Sequence, residues 1–319
     1  MVRIAGTWLL ALPALVVGLL ACGSSTQRAG FDGNPPPDGG SSGSSGDSTS
    51  GGFKNDSGTK PLTDGCSDEA KLVYVLSLEG DLYSFAPAAK QFTKVGPLNC
   101  KSGGKTFLPI SMAVDRKAVA WVNMRDTDPF AGGGDIMFQV DTVTAACTAT
   151  KITGSMGGMG FSTDQGTTDQ ETLYVIGQGN TPGKGALVKV DFAQQKLVPL
   201  SDLKEQTDLE LTGTGDGRLY GFLISSPLAL AAVDKGTSAF SNRVTLAQVE
   251  KPQAPMFAFT FWGGDFYFYT ATSTSAAKTT NVTRYRPSDG SVDTAYMKGI
   301  GFHIVGAGVS TCAPTSLPK

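Results

Sequence analysis

The sequence has a single histidine, His303, and no two cysteines in CxxC spacing. Structural zinc sites need clustered cysteine and histidine, so this scarcity argues against a metal centre of that kind. Only 17% of residues are charged, and the 26 basic and 28 acidic side chains form no basic stripe. Nucleic acid therefore has little support as a partner. No useful helical period of apolar residues follows residue 65, which indicates a fold of strands and turns.

An aromatic residue recurs in the chain at intervals of 47, 53, 46 and 47 residues. Each one is third in a short apolar run, and the five are Tyr74, Trp121, Tyr174, Tyr220 and Tyr267. A strand repeat of this length is typical of a β-propeller, with one four-stranded blade per repeat. The sequence therefore predicts an all-β, five-bladed β-propeller, although a degenerate sixth blade hidden in a loop stays open.

The aromatic runs are interpreted as the second strand of each blade, where strands A to D run from hub to rim. Apolar runs at 111–114, 159–161, 209–211 and 257–259 precede four of them and supply A strands. The first blade lacks such a run, but an unpartnered one remains at 301–306. We expect this C-terminal strand to complete the first blade and close the ring, which removes an exposed sheet edge.

Four cysteines follow the N-terminal region, and an even number in an exported protein favours disulfides. Cys66 lies eight residues before Tyr74, and Cys312 lies eight residues after Ile304. In a closed ring both fall in the same A-to-B turn, so a Cys66–Cys312 bond is predicted. Cys100 and Cys147 would form the other pair. Four cysteines allow three connectivities, so that second bond stays open.

Residues 1–21 have the pattern of an export signal, with Arg3 before an apolar stretch at 8–20. The sequence Leu-Leu-Ala-Cys at 19–22 resembles the bacterial lipobox, which implies that Cys22 becomes a lipid-bearing mature N-terminus. An uncleaved membrane helix is the rival, but 4–21 is short for a span and contains proline. Gly23 follows in place of an aspartate retention signal, and the resemblance to Gram-negative lipoproteins favours an outer-membrane anchor. Whether the domain faces the periplasm or the cell surface stays open.

Residues 22–65 are predicted to be a disordered tether. From 23 to 65 the chain has 11 Gly, 9 Ser and 4 Pro and almost no apolar side chains, so no core offsets the entropy of ordering. A flexible coil of this length reaches about 35 Å. The predicted propeller domain then occupies residues 66–319.

One group of acidic residues is a weak candidate for a calcium site. Asp126, Asp128 and Asp135 flank a glycine-rich loop, and Ca²⁺ prefers several oxygen ligands from such a loop. The spacing fits no EF-hand, so a solvated acidic loop is the favoured interpretation. The lone His303 lacks a recognisable catalytic partner and is expected to pack or to line the hub. No catalytic residue and no cofactor is predicted.

Several stretches resemble propeller-like lipoproteins of soil δ-proteobacteria. They are GDLYSF at 80–85, SMAVDR at 111–116, and GFSTD at 160–164 leading to TLYV at 172–175. The resemblance covers most of residues 66–312 and its motifs are structural. It implies the propeller fold and carries no activity.

The first functional hypothesis is a monomeric binding or scaffold module for a protein or a glycan, tethered to the membrane through Cys22. Loops at 124–134, 178–185 and 271–280, with the D-to-A loops, would form its ligand face. The alternative is a glycosidase or lyase, which would need paired carboxylates, and Asp126, Asp128 and Asp135 are the clustered candidates. A purely structural envelope protein is the third hypothesis.

Overall fold

A computed structural model describes residues 66–105, 107–127, 134–165, 167 and 169–317. The predicted signal peptide 1–21, the tether 22–65 with Cys22, and Asp128 lie outside the described residues. The described chain forms five four-stranded antiparallel sheets and a short 3-10 helix, Glu69–Lys71. Within it, no helix has the length and apolar character needed to cross a membrane.

Each sheet is one blade, with strands A to D in order from the hub. The A strands are β20 (Ile304–Val309), β4 (Phe107–Val114), β8 (Met156–Thr163), β12 (Leu209–Gly213) and β16 (Phe257–Trp262). The B strands are β1 (Val73–Ser77), β5 (Val119–Asp126), β9 (Glu171–Gln178), β13 (Leu219–Leu223) and β17 (Asp265–Thr270). The C strands are β2 (Asp81–Ala86), β6 (Asp135–Asp141), β10 (Gly185–Asp191), β14 (Ala229–Val233) and β18 (Asn281–Arg286). The D strands are β3 (Gln91–Pro97), β7 (Cys147–Gly154), β11 (Lys196–Asp202), β15 (Phe240–Thr245) and β19 (Ser291–Met297). Blades 1 to 5 follow these lists in order.

The five A strands form a closed ring, because β20 contacts β4 and β16 as well as its own sheet. The five-bladed propeller predicted from the sequence is therefore confirmed for the described residues. The repeated aromatic residue lies in the B strand of every blade and is less than 9% exposed. Tyr74, for example, shares an apolar cluster with Val114 and Val122 of the next blade. The repeat thus marks side chains that join neighbouring blades.

The C-terminal strand closes the ring beside the first B strand, as predicted. β20 pairs antiparallel with β1, from Val73 opposite Val309 to Ser77 opposite Ile304. The predicted range 301–306 was wrong at its ends, because the strand runs Ile304–Val309. Phe302 lies outside the strand, where its ring stacks on Tyr83 at a centroid distance of 4.2 Å.

Both disulfides are present. Cys66 and Cys312 are bonded with their Cα atoms 5.8 Å apart, which locks the closing segment to the start of blade 1. Cys100 and Cys147 are bonded with their Cα atoms 5.1 Å apart. The connection after β3 brings Cys100 to the start of β7, so the second bond joins blades 1 and 2. The connectivity that the sequence left open is thereby assigned.

Neighbouring hub strands approach so closely that glycine is required between them. A Cβ atom on Gly213 of β12 would lie 2.0 Å from the carbonyl oxygen of Phe161 in β8. A Cβ atom on Gly158 of β8 would lie 2.3 Å from the carbonyl oxygen of Leu209 in β12. Since non-bonded heavy atoms do not approach to these distances, the hub of blades 3 and 4 is packed backbone against backbone.

A buried carboxyl group, Glu210, lies in the A strand of blade 4. Ser111 of blade 2 donates a hydrogen bond of 2.9 Å to Oε2 of Glu210 in blade 4. Blade 3 separates these two blades, so the bond joins two A strands that are not neighbours in the ring. Burial raises the pKa of Glu210 well above its usual value and favours the protonated acid. The Ser111 and Glu210 side chains therefore connect the A strands of blades 2 and 4 directly.

The two faces of the ring differ in their connections. We call upper the face where the A strands begin and lower the face where they end. The lower C-to-D turns are short, whereas the upper connections include the long loops 98–106, 246–256 and 271–280. The upper face therefore carries the longer loops, among them the predicted ligand-face loop 271–280.

Candidate functional site

A cleft of about 630 Å³ opens on the upper face above blade 3. Its lining residues belong to blades 2, 3 and 4 and to the connection before β12. Because blades 1 and 5 contribute none of them, the cleft lies to one side of the axis. Two smaller cavities, of about 300 and 290 Å³, also lie on the upper face.

The first strand of blade 3 is irregular where it lines the cleft. β8 pairs with β9 at Met156 opposite Gly177 and again at Met159 opposite Val175, with a register shift between them. Gly157 therefore sits in a bulge and presents no side chain to the cleft. Gly157 and Gly177 both line it.

Arg125 of blade 2 places a positively charged guanidinium at the cleft, and an ion pair holds it in position. Nε of Arg125 donates to Oδ1 of Asp135 at 2.9 Å, and Nη2 lies 3.4 Å from Oδ2. Asp135 is only 3% exposed, whereas the Arg125 side chain is 55% exposed. The hydrogen bond that Arg125 donates to Asp135 raises the pKa of Arg125, so the guanidinium stays charged. Among the described residues, none accepts a hydrogen bond from Nη1.

The wall beside this arginine is held in place from two directions. The backbone N–H of Met156 donates to Oδ2 of Asp135 at 2.9 Å. The side-chain amide of Asn123 donates to the carbonyl oxygen of Met156 at 2.8 Å. Both partners are buried in blade 2, so the start of β8 is anchored across the interface between blades. The geometry around Arg125 is thus set before any ligand arrives.

The opposite wall comes from the connection between β11 and β12. Gln206 accepts a hydrogen bond of 2.7 Å from the backbone N–H of Gly185 and donates one of 2.9 Å to the carbonyl of Leu203. Asp208 is exposed, and its carbonyl accepts the backbone N–H of Ile224 at 2.8 Å. The lining of the cleft therefore combines a cation from blade 2, a carboxylate from this connection and the aliphatic side chains of Ile176, Leu203 and Ile224.

The predicted calcium candidates do not converge in the described chain. Asp126 forms an ion pair of 2.5 Å with Lys105, and Asp135 is paired with Arg125. Asp128 lies outside the described residues. Within the described part, there is no group of three or more His, Cys, Asp or Glu side chains placed to hold a metal ion.

His303 lies just before β20 at the upper end of the closing strand. It is 4% exposed, and its Nδ1 is 3.4 Å from Oε1 of Glu79. Its Nε2 is buried without a hydrogen-bond partner among the described residues. The predicted packed position is confirmed, and the residue is not part of the cleft.

A second polar cluster lies on the lower face, beside the closing disulfide. Glu171 at the start of β9 accepts hydrogen bonds from the backbone N–H of Arg116 at 2.8 Å and from the hydroxyl of Thr311 at 2.7 Å. Nη2 of Arg116 is 3.4 Å from Sγ of Cys66. Burial raises the pKa of Glu171 to about 6, against the weaker effect of these hydrogen bonds. This carboxyl group therefore joins blades 2 and 3 to the closing segment.

We expect Glu171 to make folding stability depend on pH between about 4.5 and 6. The folded state holds its proton more tightly than the unfolded chain, so stability is lost as the pH rises through this window. At 1.36 kcal/mol per pKa unit, the loss is up to about 2 kcal/mol. Urea unfolding of the wild type and Glu171→Gln at pH 4 and pH 7 measures it. An unchanged difference between the two pH values in Glu171→Gln would rule out this residue as the cause.

The fold and the cleft define this chain as a five-bladed propeller with a ligand-sized cavity on its upper face. No protein-family model matches the chain, and no curated protein matches it.

Several solved structures are similar to the chain. A protein of unknown function from Bacteroides caccae has 8% identity and a TM-score of 0.39, with 74% of this chain and 97% of that chain covered. TolB from Acinetobacter baumannii has 15% identity and a TM-score of 0.41, and the match covers 70% of this chain and 51% of TolB. The PQQ-bound aldose sugar dehydrogenase from Streptomyces coelicolor has 10% identity and a TM-score of 0.39, and the match covers 67% of this chain and 74% of the dehydrogenase. Similarity at this level assigns no function.

Proposed function

We propose that this chain is a lipid-anchored binding module of the cell envelope, and that it captures its ligand in the upper cleft above blade 3. The observation that carries the proposal is the fixed arginine at the edge of a cavity of about 630 Å³, a size typical of ligand pockets. The lipobox-like sequence supports anchoring through Cys22, at the outer membrane. The glycine- and serine-rich residues 22–65 would give the domain its reach.

The path of the chain supports an upper face that is free to bind. Cys66, the first described residue, is bonded to Cys312, which follows the lower end of β20. The connection to the tether therefore leaves from the lower face. A ligand would approach the side opposite the proposed anchor.

The carboxylates favour binding over glycan cleavage. A glycosidase needs two carboxyl groups on either side of the scissile bond. Asp126 and Asp135 are each engaged by a cation. Among the described residues that line the cleft, Asp208 is the one acidic side chain.

Site-specific photocrosslinking tests the proposal in envelope membranes. A photoreactive residue with a small diazirine side chain at Thr207, which lines the cleft, leaves the cavity open and is expected to give adducts of defined mass. The matched control is Val143, a lower-face position that is 68% exposed. Membranes from a Cys22→Ala strain should retain little of the chain, because the acyl chains are the proposed anchor. Equal adducts at both positions, or none at Thr207, would contradict the proposal.

A further inference from the structure

We propose that the upper cleft recognises an extended peptide segment of a protein partner, in which a carboxylate binds Arg125 and a neighbouring aliphatic side chain fills the cleft. This inference rests on the proposed function, since it names the ligand class for the same cavity. Four features of the cleft carry it: the cation, the aliphatic lining, the glycines of blade 3 and the acid in the connection before β12.

The cation is built to accept one carboxylate. Asp135 holds the guanidinium through Nε and Nη2, which leaves Nη1 without a hydrogen bond to any described residue. Arginine offers planar, directional donors, and a charge-assisted hydrogen bond is about twice as strong as a neutral one. Because Asp135 is itself bonded to the backbone of Met156, the arginine is oriented in the free protein. A ligand carboxylate would therefore meet a donor that needs little ordering.

The walls favour a peptide over a sugar or a base. Ile176, Leu203 and Ile224 line the cleft, and the described lining contains no aromatic ring. Sugars and nucleobases commonly stack on aromatic faces, which these aliphatic walls do not provide. Branched aliphatic walls suit a side chain such as leucine or valine.

Gly157 and Gly177 of blade 3 bring main chain to the lining of the cleft. The register shift between Met156 and Met159 interrupts the ladder between β8 and β9 at Gly157. An extended peptide recognises such backbone groups through its own N–H and C=O groups, while alternate side chains enter pockets. Gly157 is partly exposed and has no side chain to block this approach.

The acid opposite the arginine limits the charge of the ligand. Asp208 is exposed at the far wall of the cleft. A polyanion that bound Arg125 would meet this carboxylate and be repelled. A short peptide with one acid beside aliphatic residues avoids that conflict.

Peptide display against the detergent-solubilised full chain tests the inference. Random peptides with free or amidated C-termini are selected, and the dissociation constants of the enriched sequences are measured. We expect enrichment of an acid next to Ile, Leu or Val, and an affinity that falls about 10- to 100-fold in Arg125→Gln. Retained binding by amidated peptides assigns the carboxylate to a side chain, and its loss assigns it to the chain terminus.

The variants include controls for folding and for charge. Arg286→Gln removes another arginine paired with an aspartate, on the lower face of blade 5, and should leave the affinity unchanged. Thr207→Trp blocks the cleft without touching the Arg125–Asp135 pair, and should also abolish binding. Melting temperatures identify any variant that fails to fold.

The remaining outcomes distinguish failure of the peptide inference from failure of the proposed function. Selected peptides that lack an acid, or an affinity unchanged in Arg125→Gln, overturn the peptide inference even if crosslinks form at Thr207. So does a failure to select any peptide. Retention of a uronate-bearing glycan that is lost in Arg125→Gln assigns the cleft to a glycan instead. Absence of crosslinks at Thr207 overturns the proposed function itself.

Discussion

Replacing Cys66 and Cys312 together with serine is expected to lower the free energy of unfolding by about 5 kcal/mol, the model value for releasing a loop of this length. The bond spans 246 residues and restrains nearly the whole propeller domain in the unfolded state. In the folded state it fixes the closing strand beside β1. Denaturant unfolding of the purified wild type and the double variant measures the change.

The second disulfide is the matched control for this loss. Cys100 and Cys147 enclose a loop of 47 residues, so their double serine variant is expected to lose about 4 kcal/mol. The Cys66→Ser/Cys312→Ser variant should also exchange the amides of β1 and β20 faster, whereas the control should not. A loss below about 1 kcal/mol for the longer loop, with unchanged exchange, would contradict its role in closing the ring.

Gly213→Ala is expected to destabilise the fold by about 3 kcal/mol, at the upper end of the range for overpacking. Its Cβ atom would lie 2.0 Å from the carbonyl oxygen of Phe161 and 2.8 Å from the carbonyl carbon. Both are main-chain atoms, so relief requires β8 and β12 to move apart. Thermal and denaturant unfolding measure the effect.

Gly236→Ala provides the control for the glycine substitution. Gly236 lies in the turn after β14, and a Cβ atom there would meet its nearest neighbour, Oδ1 of Asp234, at 3.5 Å. We expect a change within about 1 kcal/mol, because the contact is ordinary. Equal losses in Gly213→Ala and Gly236→Ala would mean that the hub strands tolerate a wider spacing than described.

The number of blades could be predicted because one buried residue type repeats. Tyr74, Tyr220 and Tyr267 are each at most 2% exposed, and together with Trp121 and Tyr174 they occupy the B strand of all five sheets. Each blade needs one buried aromatic residue in its B strand, so such a residue recurs at regular intervals in the sequence. The pairing of the last strand with the first followed from counting A and B strands.

The ends of the closing strand were harder to predict. A run of apolar residues does not show how closely the backbone of one hub strand approaches that of the next. Gly306 and Gly308 alternate with apolar residues in β20, and a Cβ atom on either would lie 3.0 Å from main-chain atoms of β4. These glycines belong to the strand for reasons of hub packing. Phe302 looked like a strand residue but instead packs on Tyr83.

The cleft was not predicted, because it arises between blades. Arg125 and Asp135 are opposite each other in the β5–β6 hairpin, a pairing that the B and C strand assignments would have indicated. The sequence instead suggested Asp135 as a calcium ligand. The arginine that pairs with this acid can be identified only once the register between β5 and β6 is known. The cleft that Gly157 shares with Gln206 and Asp208 depends on the packing of three blades.

Peptide mapping of the purified, non-reduced chain by mass spectrometry tests ring closure most directly. Proteolysis should release one linked peptide pair that contains Cys66 and Cys312, and another that contains Cys100 and Cys147. Either alternative connectivity, in which Cys66 is joined to Cys100 or to Cys147, would place the C-terminal strand away from the first and contradict a closed five-bladed ring.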